Sequence, residues 1–222
     1  MKINKSILAI ISVLVIGIGS VQASPVSAAL NTSTTAKTHA KVSQNLKHVK
    51  VTYDSSKKQA GFTGTAAKGI KKVKVFYNNK LVQTVKVKKS NKFVANAKFT
   101  GYKNFTLLGL NKAGKKATNK VTITSQDYAA PKPWISNSNR TQAAMTYEVA
   151  TSKGCGLNFY YHKQKVRSVS ADTEKTTVVF SADELKAKTG SFTIRQTQAG
   201  KKSSPAVKAK ILDSGQSFAT SI

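Results

Sequence analysis

The chain has 222 residues, and its 37 Lys and Arg stand against only 8 Asp and Glu, for a net charge of +29 at neutral pH. Such an imbalance is not needed for folding and speaks to partners and solubility: either polyanions are bound or the Lys-rich surface is simply solvated. Arg occurs only at 140, 167 and 195, which argues against sequence-specific nucleic-acid reading. The single cysteine, Cys155, excludes an internal disulfide.

Residues 1–28 read as an export signal. Lys2 and Lys5 precede an apolar run from Ile7 to Ile18 that only Ser12 and Gly17 interrupt, and small residues follow. A basic start, a short apolar stretch and a small-x-small site are the three parts of a secretory signal. Both Val21-Gln22-Ala23 and Val26-Ser27-Ala28 satisfy the cleavage rule. The run is shorter than the roughly 20 apolar residues that span a bilayer, so no transmembrane segment is expected after cleavage. Residues 29–45 are mainly Ser, Thr, Ala and Lys and bury too little to offset ordering entropy, which predicts a flexible spacer.

From residue 46 the pattern turns to period two. Val73 and Val75 alternate with Lys72 and Lys74; Phe93, Ala95, Ala97 and Phe99 alternate with Val94, Asn96 and Lys98. Half-buried antiparallel strands look like this, apolar side inward and Lys outward. Turn-forming clusters separate seven strands expected near 48–53, 59–65, 71–77, 81–87, 92–98, 103–111 and 116–124, a sandwich over residues 46–127. Pro131 and Pro133 cannot join a ladder, so residues 128–134 are expected as a short interdomain linker.

A second sandwich is expected over residues 135–213, because the first half recurs there. Gln59-Ala60-Gly61-Phe62-Thr63 is echoed by Gln142-Ala143-Ala144-Met145-Thr146, and Val73-Lys74-Val75-Phe76-Tyr77 by Leu157-Asn158-Phe159-Tyr160-Tyr161. The clearest echo is Ala113-Gly114-Lys115-Lys116 against Ala199-Gly200-Lys201-Lys202. One element has no counterpart: Ser181 with Glu184 forms a capping box that predicts about two helical turns through Lys188. Residues 214–222 form a tail with neither an apolar stretch nor a wall-sorting signal. The charge is uneven, with 21 basic and 2 acidic residues over 31–130 but 14 and 6 over 131–222.

Phe62-Thr63-Gly64-Thr65-Ala66, Val73-Lys74-Val75-Phe76-Tyr77-Asn78-Asn79-Lys80 and Lys112-Ala113-Gly114-Lys115-Lys116 resemble the bacterial immunoglobulin-like modules of Gram-positive secreted and surface proteins. In those modules a glycine-bearing turn follows the second strand, a hairpin comes next, and a second glycine turn precedes the last strand. The resemblance covers most of 45–126 and, more faintly, 140–212, where Tyr147-Glu148-Val149 stands in place of the glycine turn. It implies an all-β fold of two tandem immunoglobulin-like β-sandwiches with a spacer or adhesive role and no catalysis; no functional residue carries over.

The chemistry-bearing residues are sparse. His39, His48 and His162 lack metal-ligand neighbours, so neither a metal nor a cofactor is expected. A Cys155–His162 nucleophile and base would have to meet along a single strand, and a small filler role suits Cys155 better. Asp172 with Glu174 flanks a turn and Asp183 with Glu184 opens the helix, so no two acids face across a cleft and no catalytic residue is assigned.

Two groups are binding candidates. Tyr160 and Tyr161 with Lys163 and Lys165 place aromatic faces among cations at one hairpin, unless one Tyr points into the core. Lys71, Lys72, Lys74, Lys86, Lys88 and Lys89 would share an outward sheet face that could hold a polyanion by counterion release, or would serve to discourage strand pairing at an edge. The expectation is a secreted, non-enzymatic, cationic protein, extracellular or non-covalently wall-associated. It would bind an anionic cell-wall polymer of the teichoic-acid type, or an acidic glycan, in adhesion. The competing classes are a secreted factor acting on foreign membranes, for which no amphipathic helix is present, and an enzyme.

Overall fold

A computed structural model describes residues 45–220. The expected signal peptide and all but the last residue of the expected spacer lie outside the described residues. Seven strands open the described chain: β1 (Leu46–Asp54), β2 (Gln59–Ala66), β3 (Lys72–Tyr77), β4 (Lys80–Lys86), β5 (Lys92–Lys98), β6 (Phe105–Leu110) and β7 (Val121–Ile123). They form two antiparallel sheets ordered β1-β2-β5 and β4-β3-β6-β7. This is the seven-strand, two-sheet immunoglobulin-like plan, with the fourth strand paired to the third. Period-two alternation decides which side faces in: Val73, Val75, Phe93, Ala95 and Ala97 are buried, while Val94, Asn96 and Lys98 are exposed. Phe62, Phe99, Phe105 and Tyr128 stack edge to face between the sheets, and each fully buried ring contributes roughly 1.5–3 kcal/mol of apolar burial.

A second pair of sheets follows, from β8 (Trp134–Arg140), β9 (Ala144–Ala150), β10 (Cys155–Tyr161), β11 (Gln164–Ala171), β12 (Lys175–Ser181), β13 (Ser191–Thr197), β14 (Val207–Lys210) and β15 (Ser217–Ala219). Their orders are β12-β9-β8-β15 and β11-β10-β13-β14. Apart from β15, which comes from the expected tail, the plan repeats the first. A separate core of Met145, Tyr147, Leu157, Phe159, Phe180, Phe192 and Ile194 fills it.

The repeat extends to backbone detail. The β3–β4 turn places Asn78 and Asn79 at φ 48° and 64°, and the β10–β11 turn places His162 and Lys163 at 46° and 71°. Two consecutive left-handed residues make the hairpin turn whose twist matches the strands. Each register slips by one residue on the returning strand, leaving Val82 and Val166 as bulged residues, both exposed.

Local expectations are corrected in four places. The Thr63–Ala66 glycine segment, which the resemblance implies as a turn, instead completes the strand expected near 59–65, and a Cβ on Gly64 would lie 2.8 Å from the Phe93 ring. In the second sandwich Tyr147-Glu148-Val149 fills the matching strand β9, with Tyr147 buried. The seventh strand spans only Val121–Ile123, Lys116 making a single bridge to Leu110. The capped helix α2 (Ala182–Leu185) is one turn long: Ser181 and Glu184 close the capping box, but Ala187 turns left-handed at φ 60° and ends it.

Residues 128–134 are more than a spacer. A one-turn helix α1 (Ser125–Tyr128) buries Tyr128, and Ala129 and Ala130 are buried after it. Ala129 forms a parallel bridge with Lys202, and Gln196 Nε2 donates to the Pro131 carbonyl at 3.0 Å.

Candidate functional site

The sheet β4-β3-β6-β7 carries the first lysine group. Lys72 pairs directly with Lys86 and Lys74 with Thr84, so Lys72, Lys74 and Lys86 share one face. Lys71 precedes β3, where its carbonyl accepts from Val87 N at 2.9 Å, and Lys88 and Lys89 lie in the connection to β5. Register thus brings three of the six onto one face and leaves the other three along its end. Edge protection accounts for Lys86, on an outer strand. It does not account for Lys72 and Lys74, because β3 lies between β4 and β6. Like charges directly opposite one another across a strand pair destabilise a sheet.

The tyrosine hairpin divides. Tyr161 turns inward: its ring lies 5.9 Å from that of Phe192, and its hydroxyl accepts from Thr189 N. Tyr160 faces outward beside Lys163, Thr193 and Arg195, and Lys165 pairs with it across the strands. A continuous aromatic platform is therefore absent.

Chemistry elsewhere is occupied in structural roles. Cys155 is buried at the start of β10 and His162 sits in the turn beyond its far end. Burial pushes the Cys155 thiol up, with Lys201 pulling the other way, which suppresses thiolate at neutral pH. Glu184 holds Arg167, which also reaches the Val179 carbonyl and covers the Phe180 ring at 4.6 Å. The Glu184 carboxyl is held below its ordinary range, first by the Ser181 backbone N–H and then by Arg167. Among the described residues no three His, Cys, Asp or Glu side chains gather as a metal site, and no helix is long and apolar enough to cross a membrane.

A third site was not visible in the sequence. Where the two sandwiches meet, the Ala199–Lys202 turn seats against the first one. Tyr53 N donates to Gly200 O at 2.9 Å, Lys202 N to Tyr128 O at 2.8 Å, and Ala130 N to Lys202 O at 2.8 Å. Tyr102 donates its hydroxyl to the Ser203 and Ser204 carbonyls, and Arg195 Nη1 donates to that same hydroxyl at 3.1 Å. The Lys202 ammonium lies 4.8 Å from the Phe99 ring centre, 5.0 Å from Tyr102 and 5.8 Å from Tyr53. Its pKa is lowered, first by burial and then by the nearby Arg195 and Lys58 cations. Beside this contact opens a cleft of about 580 Å³ lined by Tyr53, Lys58, Tyr102, Arg195, Lys201 and Lys202, among others. The only sequence signal for it was the Ala199–Lys202 echo, which marks a turn and does not say what the turn touches.

No protein-family model and no curated protein matches the chain. Among solved structures it is similar to the BSP domain of a biofilm-associated protein, at 13% identity and TM-score 0.29, covering 73% of this chain and 29% of that one. It is similar to the human OSCAR ligand-binding domain at 8% identity and TM-score 0.33, covering 75% and 97%. The fibronectin(III)-like modules of Clostridium thermocellum CbhA match at 12% identity and TM-score 0.28, covering 77% and 94%. No residue role passes from any of them, and the fold description rests on the strand orders above.

Proposed function

We propose that this is a secreted, non-enzymatic binding protein of the bacterial immunoglobulin-like class, retained at the cell surface by electrostatic attachment to an anionic wall polymer and acting in adhesion. The observation that carries the reading is the Lys72–Lys86 pair on β3 and β4, with Lys74 on the same face. The pairing costs the fold stability, no edge needs it at β3, and a polyanion laid along the face would relieve it. The three ion pairs among the described residues engage Lys57, Arg167 and Lys175, none of them on this face.

Binding to purified walls, with and without their phosphate polymer and across a salt series, tests it. Attachment that needs the polymer and falls linearly in log K with log salt is expected, and Lys72→Gln with Lys74→Gln and Lys86→Gln should flatten that slope. Attachment that ignores both salt and polymer sinks the proposal.

A further inference from the structure

We infer that the cleft between the sandwiches is a discrete binding site for a phosphate ester, such as one unit of a sugar- or polyol-phosphate chain. This goes beyond diffuse attraction and rests on the reading above only in the choice of phosphate as the anion. The charge is the first argument. Lys58, Arg195, Lys201 and Lys202 line one cavity, and none of them takes part in the three ion pairs of the described residues.

Two of these cations are committed to the protein: Arg195 donates to Tyr102 and to the Ser204 carbonyl at 2.7 Å, and Lys202 sits over the three rings. Lys201 is held by the Gln126 carbonyl at 2.9 Å. Lys58, on the β1–β2 turn of the first sandwich, completes the cationic lining. Arg195, Lys201 and Lys202 are therefore positioned by neutral partners, which fix them without cancelling their charge, and an anion between them and Lys58 would gain attraction from several at once. The downward pull of Arg195 and Lys58 on the Lys202 ammonium is the same crowding seen from inside.

The second argument is shape. The cavity, about 580 Å³, falls within the range of small-molecule sites, and Tyr53 and Tyr102, whose rings flank the Lys202 ammonium, are among its lining. A sugar or polyol carbon chain beside those rings, with its phosphate among the cations, uses both kinds of lining.

The test titrates isotope-labelled mature protein with glycerol 3-phosphate and with a short poly(glycerol phosphate), following backbone amides by NMR. Saturable shifts at Tyr53, Gly200 and Lys201, weakened about tenfold by Lys58→Gln, support the site. Lys58 makes no hydrogen bond to the second sandwich, so this variant leaves the junction intact. Lys58→Gln with Lys201→Gln should weaken binding further, and Lys115→Gln with Lys116→Gln, on the exposed turn of the first sandwich, should leave glycerol 3-phosphate affinity unchanged. Shifts that stay linear in ligand, or an affinity indifferent to Lys58→Gln, overturn the inference whatever the wall assay gives. Conversely, wild-type protein that ignores wall polymer yet saturates with glycerol 3-phosphate keeps the cleft and removes only the wall-retention reading.

Discussion

The two Ala-Gly-Lys-Lys turns are the same four residues with different fates. Gly114 and Gly200 adopt left-handed φ values of 75° and 70°, so local sequence makes the same turn twice. In the first sandwich Lys115 and Lys116 are exposed to solvent. In the second, Gly200 and Lys202 bond to Tyr53, Tyr128 and Ala130, and the Lys202 ammonium rests on aromatic rings. The difference lies in the receiving surface. The first sandwich offers Tyr53 at the end of β1, Phe99 just after β5, and Tyr102. The matching strand of the second ends at Arg140, whose guanidinium is spent on the Leu212 carbonyl at 2.8 Å. In the second copy the turn becomes a joint because the first sandwich supplies it with aromatic faces and backbone partners.

Breaking the receiving surface should have the largest effect. Tyr128 is fully buried against Phe99 and Phe105 and donates to Lys103 O at 2.7 Å, while its own carbonyl anchors Lys202. Tyr128→Ala should cost about 3–5 kcal/mol in urea denaturation, as large-to-small core changes do. Tyr128→Phe, losing one hydrogen bond, should cost about 1 kcal/mol. Equal costs for the two would mean that the ring is not packed as described.

The lysines of the two turns give the sharper contrast. Lys202→Ala removes a partly desolvated cation from three rings, worth about 2 kcal/mol. Lys116→Ala touches nothing comparable and should stay within about 0.5 kcal/mol. Limited proteolysis within 128–134 should follow the same order, with Lys202→Ala cut faster. Equal stability of the two variants would reduce the joint to a passive contact.

Buried Cys155 sets a third expectation, smaller still. Its thiol should react with iodoacetamide far more slowly in the native protein than in urea, and the native rate should begin to rise only at a pH above that of an ordinary cysteine, because burial raises its pKa. Rapid native labelling would revive a reactive-thiol role.

The seven strands of the first sandwich were legible because alternation of Val and Phe with Lys directly encodes which face is buried. The Ser181–Glu184 cap was equally legible, since its partners lie within one turn. Its length was not: Ala187 adopts a left-handed φ that no local signal announces. The site was harder for a related reason. That Lys72 and Lys86 share a face follows from hairpin register, which sequence can supply. That Lys202 meets Tyr53, Phe99 and Tyr102 depends on the docking of two sandwiches, and no spacing along the chain reports it. Tyr160 and Tyr161 divide between the two faces because adjacent strand residues point opposite ways, the alternative their adjacency left open.

The smallest effect concerns the turn that carries Lys58 to the cleft. Asp54 Oδ1 accepts from Ser56 Oγ at 2.6 Å, Ser56 N at 3.0 Å and Lys57 N at 3.1 Å. Its carboxyl is lowered to about 2, first by the Ser56 hydroxyl and then by the Lys57 backbone N–H. The folded value lies below the unfolded value of roughly 4. The carboxylate's contribution is therefore fully present above pH 4 and lost as pH falls through about 2. NMR titration of the Asp54 carboxyl should find its midpoint near the lower figure, and Asp54→Asn should weaken cleft binding at neutral pH by loosening Lys58. A midpoint near 4 would mean that the turn is unheld and that Lys58 is no better placed than Lys115 or Lys116, which would erase the distinction between the two turns on which the cleft depends.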